Sequence, residues 1–174
     1  MMRFYYWLLL ATTLLSSCVG QPSGVTPVTP FELNRYLGKW YEVARLDHSF
    51  EEGLSQVTAH YRLKDDGSIE VINRGYNAKK NQWDEAEGKA KFAEDATTAF
   101  FKVSFFGPFY SSYIVFELDE QYQYAFVSGP NTDYLWLLSR QPQVPDALKQ
   151  RFERRAQALG FDTSALIYPN HKTP

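Results

Sequence analysis

The sequence predicts an all-β fold: an eight-stranded antiparallel up-and-down barrel with one α-helix from the C-terminal part packed on its outside. Three observations carry this. Residues 56–63 alternate strictly, with Val57, Ala59, Tyr61 and Leu63 on one face and Gln56, Thr58, His60 and Arg62 on the other, which is the period of a strand with one buried face. Similar short patterns recur at even spacing, joined by turn residues, and closing such a meander into a barrel removes its unpaired edges. Finally, residues 134–138 (Tyr-Leu-Trp-Leu-Leu) are apolar on both faces, so their outer side needs a cover. Residues 145–160 supply it.

Taken in order, residues 1–17 read as an export signal of the lipoprotein type. Arg3 is its single charge, and the mostly apolar run 7–15 is too short to span a bilayer. Cys18, the only cysteine among the 174 residues, follows Leu15-Ser16-Ser17, and this resembles the lipobox of bacterial lipoproteins, in which the cysteine is the lipid-attachment site. Residues 18–30 are expected to be the lipidated N-terminus and a flexible tether, because residues 21–30 hold three prolines, a glycine and no charge. The domain proper is placed at residues 31–168, opening with a single helical turn at 31–36 that closes the barrel floor.

Strands follow from Gly38 onward, with turns at 65–68 and 77–81. In the stretch 82–92, Ala86, Gly88, Ala90 and Phe92 share a face opposite Glu85, Glu87, Lys89 and Lys91. Small inward residues leave room inside. Further strands are read at 100–106, 113–118, 123–128 and 134–139. Pro145 then starts a helix and Gly160 stops it, with Leu148, Phe152, Ala156 and Leu159 on one stripe. A short last strand is expected within 161–168, and a loose tail over 169–174.

Composition narrows the partners. A net charge of −2 and a pI near 5.9 exclude nucleic acid, since phosphate contacts need clustered Lys and Arg. Aromatic residues make up 17% of the chain, which favours strands. With one cysteine no intramolecular disulfide can form. Trp40, at the start of the strand series, is placed to plug one end; Gly38 would let the backbone pass under it, and Arg140 is the natural cation to cover its ring.

Gly38-x-Trp40, Asn131-Thr132-Asp133-Tyr134 and Arg140, in this order, resemble the three motifs of the lipocalin family. Residues 41–45, 103–110 and 133–140 carry the likeness toward its bacterial outer-membrane lipoproteins, relatives of apolipoprotein D. The chain lacks the paired cysteines of animal members. The resemblance implies a cup open at one end that binds, stores or transports a hydrophobic ligand, with fatty acids or lysophospholipids foremost, during envelope maintenance. It implies a lipid-anchored protein of a Gram-negative outer membrane, Val19 rather than Asp after the cysteine pointing the same way. It also implies that Gly38, Trp40, Thr132, Asp133, Tyr134 and Arg140 close the barrel.

Alternation gives the ligand-facing wall as Tyr61, Asn73, Trp136, Phe101, Val103 and Phe105, with Tyr61 and Asn73 as partners for a headgroup. Tyr61 and Trp136 as plain core aromatics is the other reading. The segment 107–113 is open between a membrane-touching lip, a homodimer contact and a turn packed on itself. No metal, cofactor or catalytic pattern is found, and His48, His60 and His171 do not fall into one site. The protein is therefore expected not to be an enzyme. Two alternatives stay open: a structural envelope lipoprotein with an incidental pocket, and a lipid-modifying enzyme, for which Glu42 is the carboxylate whose pKa burial would raise.

Overall fold

A computed structural model describes residues 20–171; the export signal and Cys18 lie outside these. Along the described chain run α1 (Leu33–Tyr36), β1 (Gly38–Leu46), β2 (Leu54–Leu63), β3 (Ile69–Asn77), β4 (Gln82–Phe92), β5 (Phe100–Ser104), β6 (Ser111–Leu118), β7 (Tyr124–Ser128) and β8 (Leu135–Ser139). After them come α2 (Asp146–Ala158), a short 3₁₀ turn and β9 (Leu166–Ile167). Each strand pairs antiparallel with the next, and β1 pairs with both β2 and β8, so β1 to β8 close into a barrel. The short β9 adds to the far end of β1, through Arg45 and Leu46.

Period-two patterning divides the buried residues into two cores. Inside the barrel lie Trp40, Ala59, Tyr61, Ile69, Val71, Ala90, Phe101, Val115, Val127 and Leu138, with Phe31 and Tyr36 pressed in from below. Outside it, Phe100, Ile114, Phe126, Leu135 and Leu137 meet Phe152 and Ala156 of α2. The doubly apolar strand is thus explained: Leu135 and Leu137 face the helix while Trp136 and Leu138 face inward.

Two segments expected to be loose are docked over the residues described, 21–30 and 170–171. Residues 21–30 do not form a free tether: Val25 is 2% exposed in the core under α2. Val28 donates its N–H to the Val115 carbonyl and accepts from the Ala99 N–H. The prolines remove donors, but Val25, Val28 and Phe31, spaced three apart, bring enough apolar surface to anchor the segment. At the other end, His171 is buried, with Nε2 2.7 Å from the Glu42 carbonyl oxygen, and the Asn170 carbonyl accepts the N–H of Gln56.

Candidate functional site: the barrel lumen

Since β1 enters at the floor, the connections alternate between the two ends. Those after β2, β4 and β6 lie at the floor; those after β1, β3, β5 and β7 lie at the mouth. The floor is built on Trp40, which is fully buried and donates Nε1–H to the Tyr36 carbonyl at 2.8 Å. The Arg140 guanidinium carbon lies 3.9 Å from the Trp40 ring centroid. Its nitrogens donate to the carbonyls of Lys39, Arg35, Leu37, Tyr36 and Tyr122 at 2.8–3.3 Å. Gly38 takes φ +91°, a left-handed conformation that favours glycine, as the chain turns into β1 beside Arg140.

Thr132, Asp133 and Tyr134 do not take part in this closure. They sit in the connection from β7 to β8, at the mouth, with Thr132 and Asp133 exposed and the Tyr134 ring 5.4 Å from His48. Counting strands gives the reason: the connection that returns to the floor late in the chain is the one after β6. There Asp119 accepts the N–H groups of Gln121 and Gln123. Tyr122 accepts the Glu32 N–H at 2.9 Å and lies under the Arg35 guanidinium at 4.1 Å. Asp119 and Tyr122 do what was expected of Asp133 and Tyr134, and strand parity alone would have found them.

Above the floor, Tyr113 bridges two other phenols, its hydroxyl 2.6 Å from that of Tyr36 and 2.9 Å from that of Tyr61. Burial pushes all three phenols above their ordinary range, so they remain neutral hydroxyls. With Leu33, Ile69, Ala90, Phe101 and Val103 they leave a cavity of about 10 Å³, room for about one water. The lower lumen is therefore filled by the protein's own side chains.

The upper lumen is open. Asn73 pairs with Ala59 on one side and Ala86 on the other, so all three face inward; Ala86 is exposed and Asn73, Val103, Phe105 and Trp136 are half-buried. The wall is also incomplete on one side, because β4 runs from Gln82 but meets β5 only from Lys89 onward. The Phe105 ring lies so close to Gly88 that a Cβ there would stand 2.8 Å from it, so the small residue makes space for the aromatic. Tyr61, Asn73, Phe101, Val103, Phe105 and Trp136 all face into the barrel, Tyr61 and Phe101 in its filled lower part, Asn73, Phe105 and Trp136 in the open upper part and Val103 between them. The Asn73 side-chain oxygen is buried there without a hydrogen-bond partner.

Toward the mouth the wall carries a buried charged cluster that alternation did not reveal. A bulge at Val43 shifts the register of β1 against β8, so Glu42 pairs with Leu138 and Arg45 with Trp136, and both point inward. Arg45 Nη1 lies 2.6 Å from Glu42 Oε1, and Arg45 Nη2 donates to the Glu51 carbonyl at 2.8 Å and to Asp47 Oδ1 at 3.2 Å. Glu51 folds in from the connection between β1 and β2, where its Oε2 accepts Trp136 Nε1–H at 3.1 Å and lies 3.1 Å from His48 Nε2. Burial, then the nearby Glu51 charge, pushes the Glu42 carboxyl well above the ordinary range, as expected from sequence. Burial alone would raise Glu51 too, but contact with His48, Trp136 and Arg45 outweighs it and holds Glu51 below that range.

A floor plugged by a covered tryptophan, a barrel of eight strands and a helix on its flank are the marks expected from the sequence motifs, and comparison with known proteins agrees. The model of the lipocalin-like domain matches residues 31–171. The chain belongs to the lipocalin family. This lipocalin is 62% identical over 163 residues to the outer membrane lipoprotein Blc of Vibrio cholerae, covering 93% of this chain and 95% of that one. It is 37% identical over 123 residues to bovine apolipoprotein D, covering 66% and 64%. Insecticyanin from the tobacco hornworm Manduca sexta superposes with a TM-score of 0.70 at 21% identity, covering 88% of each chain, a likeness of fold.

Proposed function

We propose that this lipocalin is a lipid-anchored carrier of a hydrophobic ligand, fatty acid or lysophospholipid, at the outer membrane of a Gram-negative bacterium. Acylation of Cys18 supplies the anchor, and two or more acyl chains give stable attachment. The likeness to a relative named as an outer membrane lipoprotein supports this location. The observation that carries the ligand reading is the upper lumen, an open, mainly apolar wall in which the Asn73 amide oxygen is buried and unpaired. A buried polar atom is costly without a partner, and a headgroup hydroxyl or amine would supply one. A dozen methylenes buried along Val103, Phe105 and Trp136 contribute about 10 kcal/mol gross, which association costs reduce to roughly micromolar affinity.

Trp136 reports on this directly. Titrating the protein with a lysophospholipid should change its tryptophan fluorescence, and Trp136→Phe should abolish most of that change while Asn73→Ala weakens binding about tenfold. Unchanged affinity in Asn73→Ala would remove the amide from the site. The filled lower lumen favours a second reading, a structural envelope lipoprotein with an incidental pocket. Native mass spectrometry separates them: a protein that neither co-purifies with lipid nor takes it up is structural.

A further inference from the structure

The N-terminal segment runs along the outside of the barrel from the floor to the mouth. From Phe31 at the floor the chain runs backward up the outside, past Ala99 and Val115 at Val28, then into the core under α2 at Val25. It arrives at Gly20, which lies so close to Pro130 that a Cβ there would stand 2.5 Å from the Pro130 carbonyl oxygen. Pro130 belongs to the connection between β7 and β8, at the mouth. Cys18 is two residues before Gly20, and two residues of chain reach at most about 7 Å. An anchor at Cys18 therefore leaves the molecule beside the mouth, and the docked segment removes the slack that would let the barrel swing away.

The two ends differ in chemistry in the matching sense. At the mouth, Phe50, between β1 and β2, is 66% exposed, and Phe106 and Phe109, between β5 and β6, are 71% and 73% exposed. Trp83, just inside β4, is 45% exposed at the same end. Exposed carboxylates occur at both ends, Asp47, Glu52 and Asp133 at the mouth and Asp65, Asp66, Glu94, Asp95 and Glu120 at the floor, but the large exposed apolar residue at the floor is Leu63 rather than an aromatic ring. Aromatic side chains gain by entering the interfacial layer of a bilayer.

We propose that this lipocalin sits mouth-down on the phospholipid leaflet that holds its own anchor, with Phe50, Phe106 and Phe109 entering the interfacial layer. A ligand then passes between leaflet and lumen without crossing water. The proposal rests on the reading that Cys18 is acylated.

The test uses the full-length acylated protein in vesicles of phosphatidylethanolamine and phosphatidylglycerol containing nitroxide-labelled lipid. One variant carries a fluorophore at Phe109→Cys, at the mouth, and another at Asp66→Cys, at the floor; acylated Cys18 does not react with the label. Quenching several-fold stronger at position 109 than at 66 is expected. Equal or reversed quenching in protein whose mass includes the acyl chains overturns the orientation and leaves the anchor standing. A mass without acyl chains overturns the anchor and the orientation with it. Self-quenching between labels at 109, with no quenching by the lipid, overturns the proposal in favour of a second copy of the chain covering the mouth.

Discussion

At the floor, Arg140 meets neutral partners: the face of Trp40 and a set of backbone carbonyls. At the mouth, Arg45 is fully buried and meets carboxylates, Glu42 and Asp47, with Glu51 close by. Both cations are satisfied, yet the partners differ in one property. Backbone dipoles keep their charge distribution at every pH, while carboxylates gain and lose protons. The closure of the floor is therefore insensitive to protons, and the wall beneath the mouth is responsive to them. The comparison separates a structural end of the barrel from an end able to change.

Removing Arg45 tests this most severely. Arg45→Met would take the cation away from the ionised Glu51 and leave the buried Glu42 carboxyl and the Glu51 carbonyl without their donor, and breaking a buried charged pair by removing one partner costs about 3–5 kcal/mol. Urea unfolding at neutral pH should report a loss of that size, smaller in acid, where the carboxylates are protonated. A loss below about 1 kcal/mol would mean that water already reaches the cluster.

Arg140→Met is the matching change at the floor. Arg140 is only half-buried, so water can take over several of the carbonyls it releases, and the expected cost is about 2 kcal/mol, the size of a few charge-assisted hydrogen bonds and a cation–π contact. Unlike the loss at Arg45, it should be the same in acid and at neutral pH. A strongly pH-dependent loss would contradict the contrast between the two ends.

What could be read in advance follows the same division. Trp40 and Gly38 were legible as an indole and a glycine side by side at the first strand, and Arg140, though far away in sequence, because it ends the last strand, which closure of the meander brings back beside the first. The helix stripe Phe152 and Ala156 and its partners Leu135 and Leu137 were legible from periodicity. The charged cluster was not, because the bulge at Val43 turns Glu42 and Arg45 onto one face, and residues three apart on a regular strand would face opposite ways. Thr132, Asp133 and Tyr134 matched a motif by spelling, while their end of the barrel depends on how many strands precede them. The docked N-terminal segment was missed because three prolines outweighed the spacing of Val25, Val28 and Phe31 in the reading of its composition.

The smallest expected effect sharpens the comparison most. Because burial and Glu51 raise the Glu42 carboxyl in the folded state, the native protein holds a proton that the unfolded chain releases above the ordinary glutamate range. Stability from this group is fully present below that range and declines as pH rises toward the folded value, by at most about 1.4 kcal/mol per pH unit for one proton. Glu51 acts in the opposite sense: its lowered value contributes stability above the ordinary range that is lost as pH falls through the folded value. The two carboxyls titrate as a coupled pair, so the observable is the shape of the profile rather than one midpoint. Glu42→Gln imitates the protonated carboxyl, so it should change stability in mildly acid solution by less than about 1 kcal/mol and remove the decline on the rising-pH side, leaving the acid limb of Glu51 in place. Urea midpoints collected from acid to just below the phenol range would display this, and profiles that stay parallel in the wild type and Glu42→Gln throughout would show that Glu42 holds no extra proton in the fold.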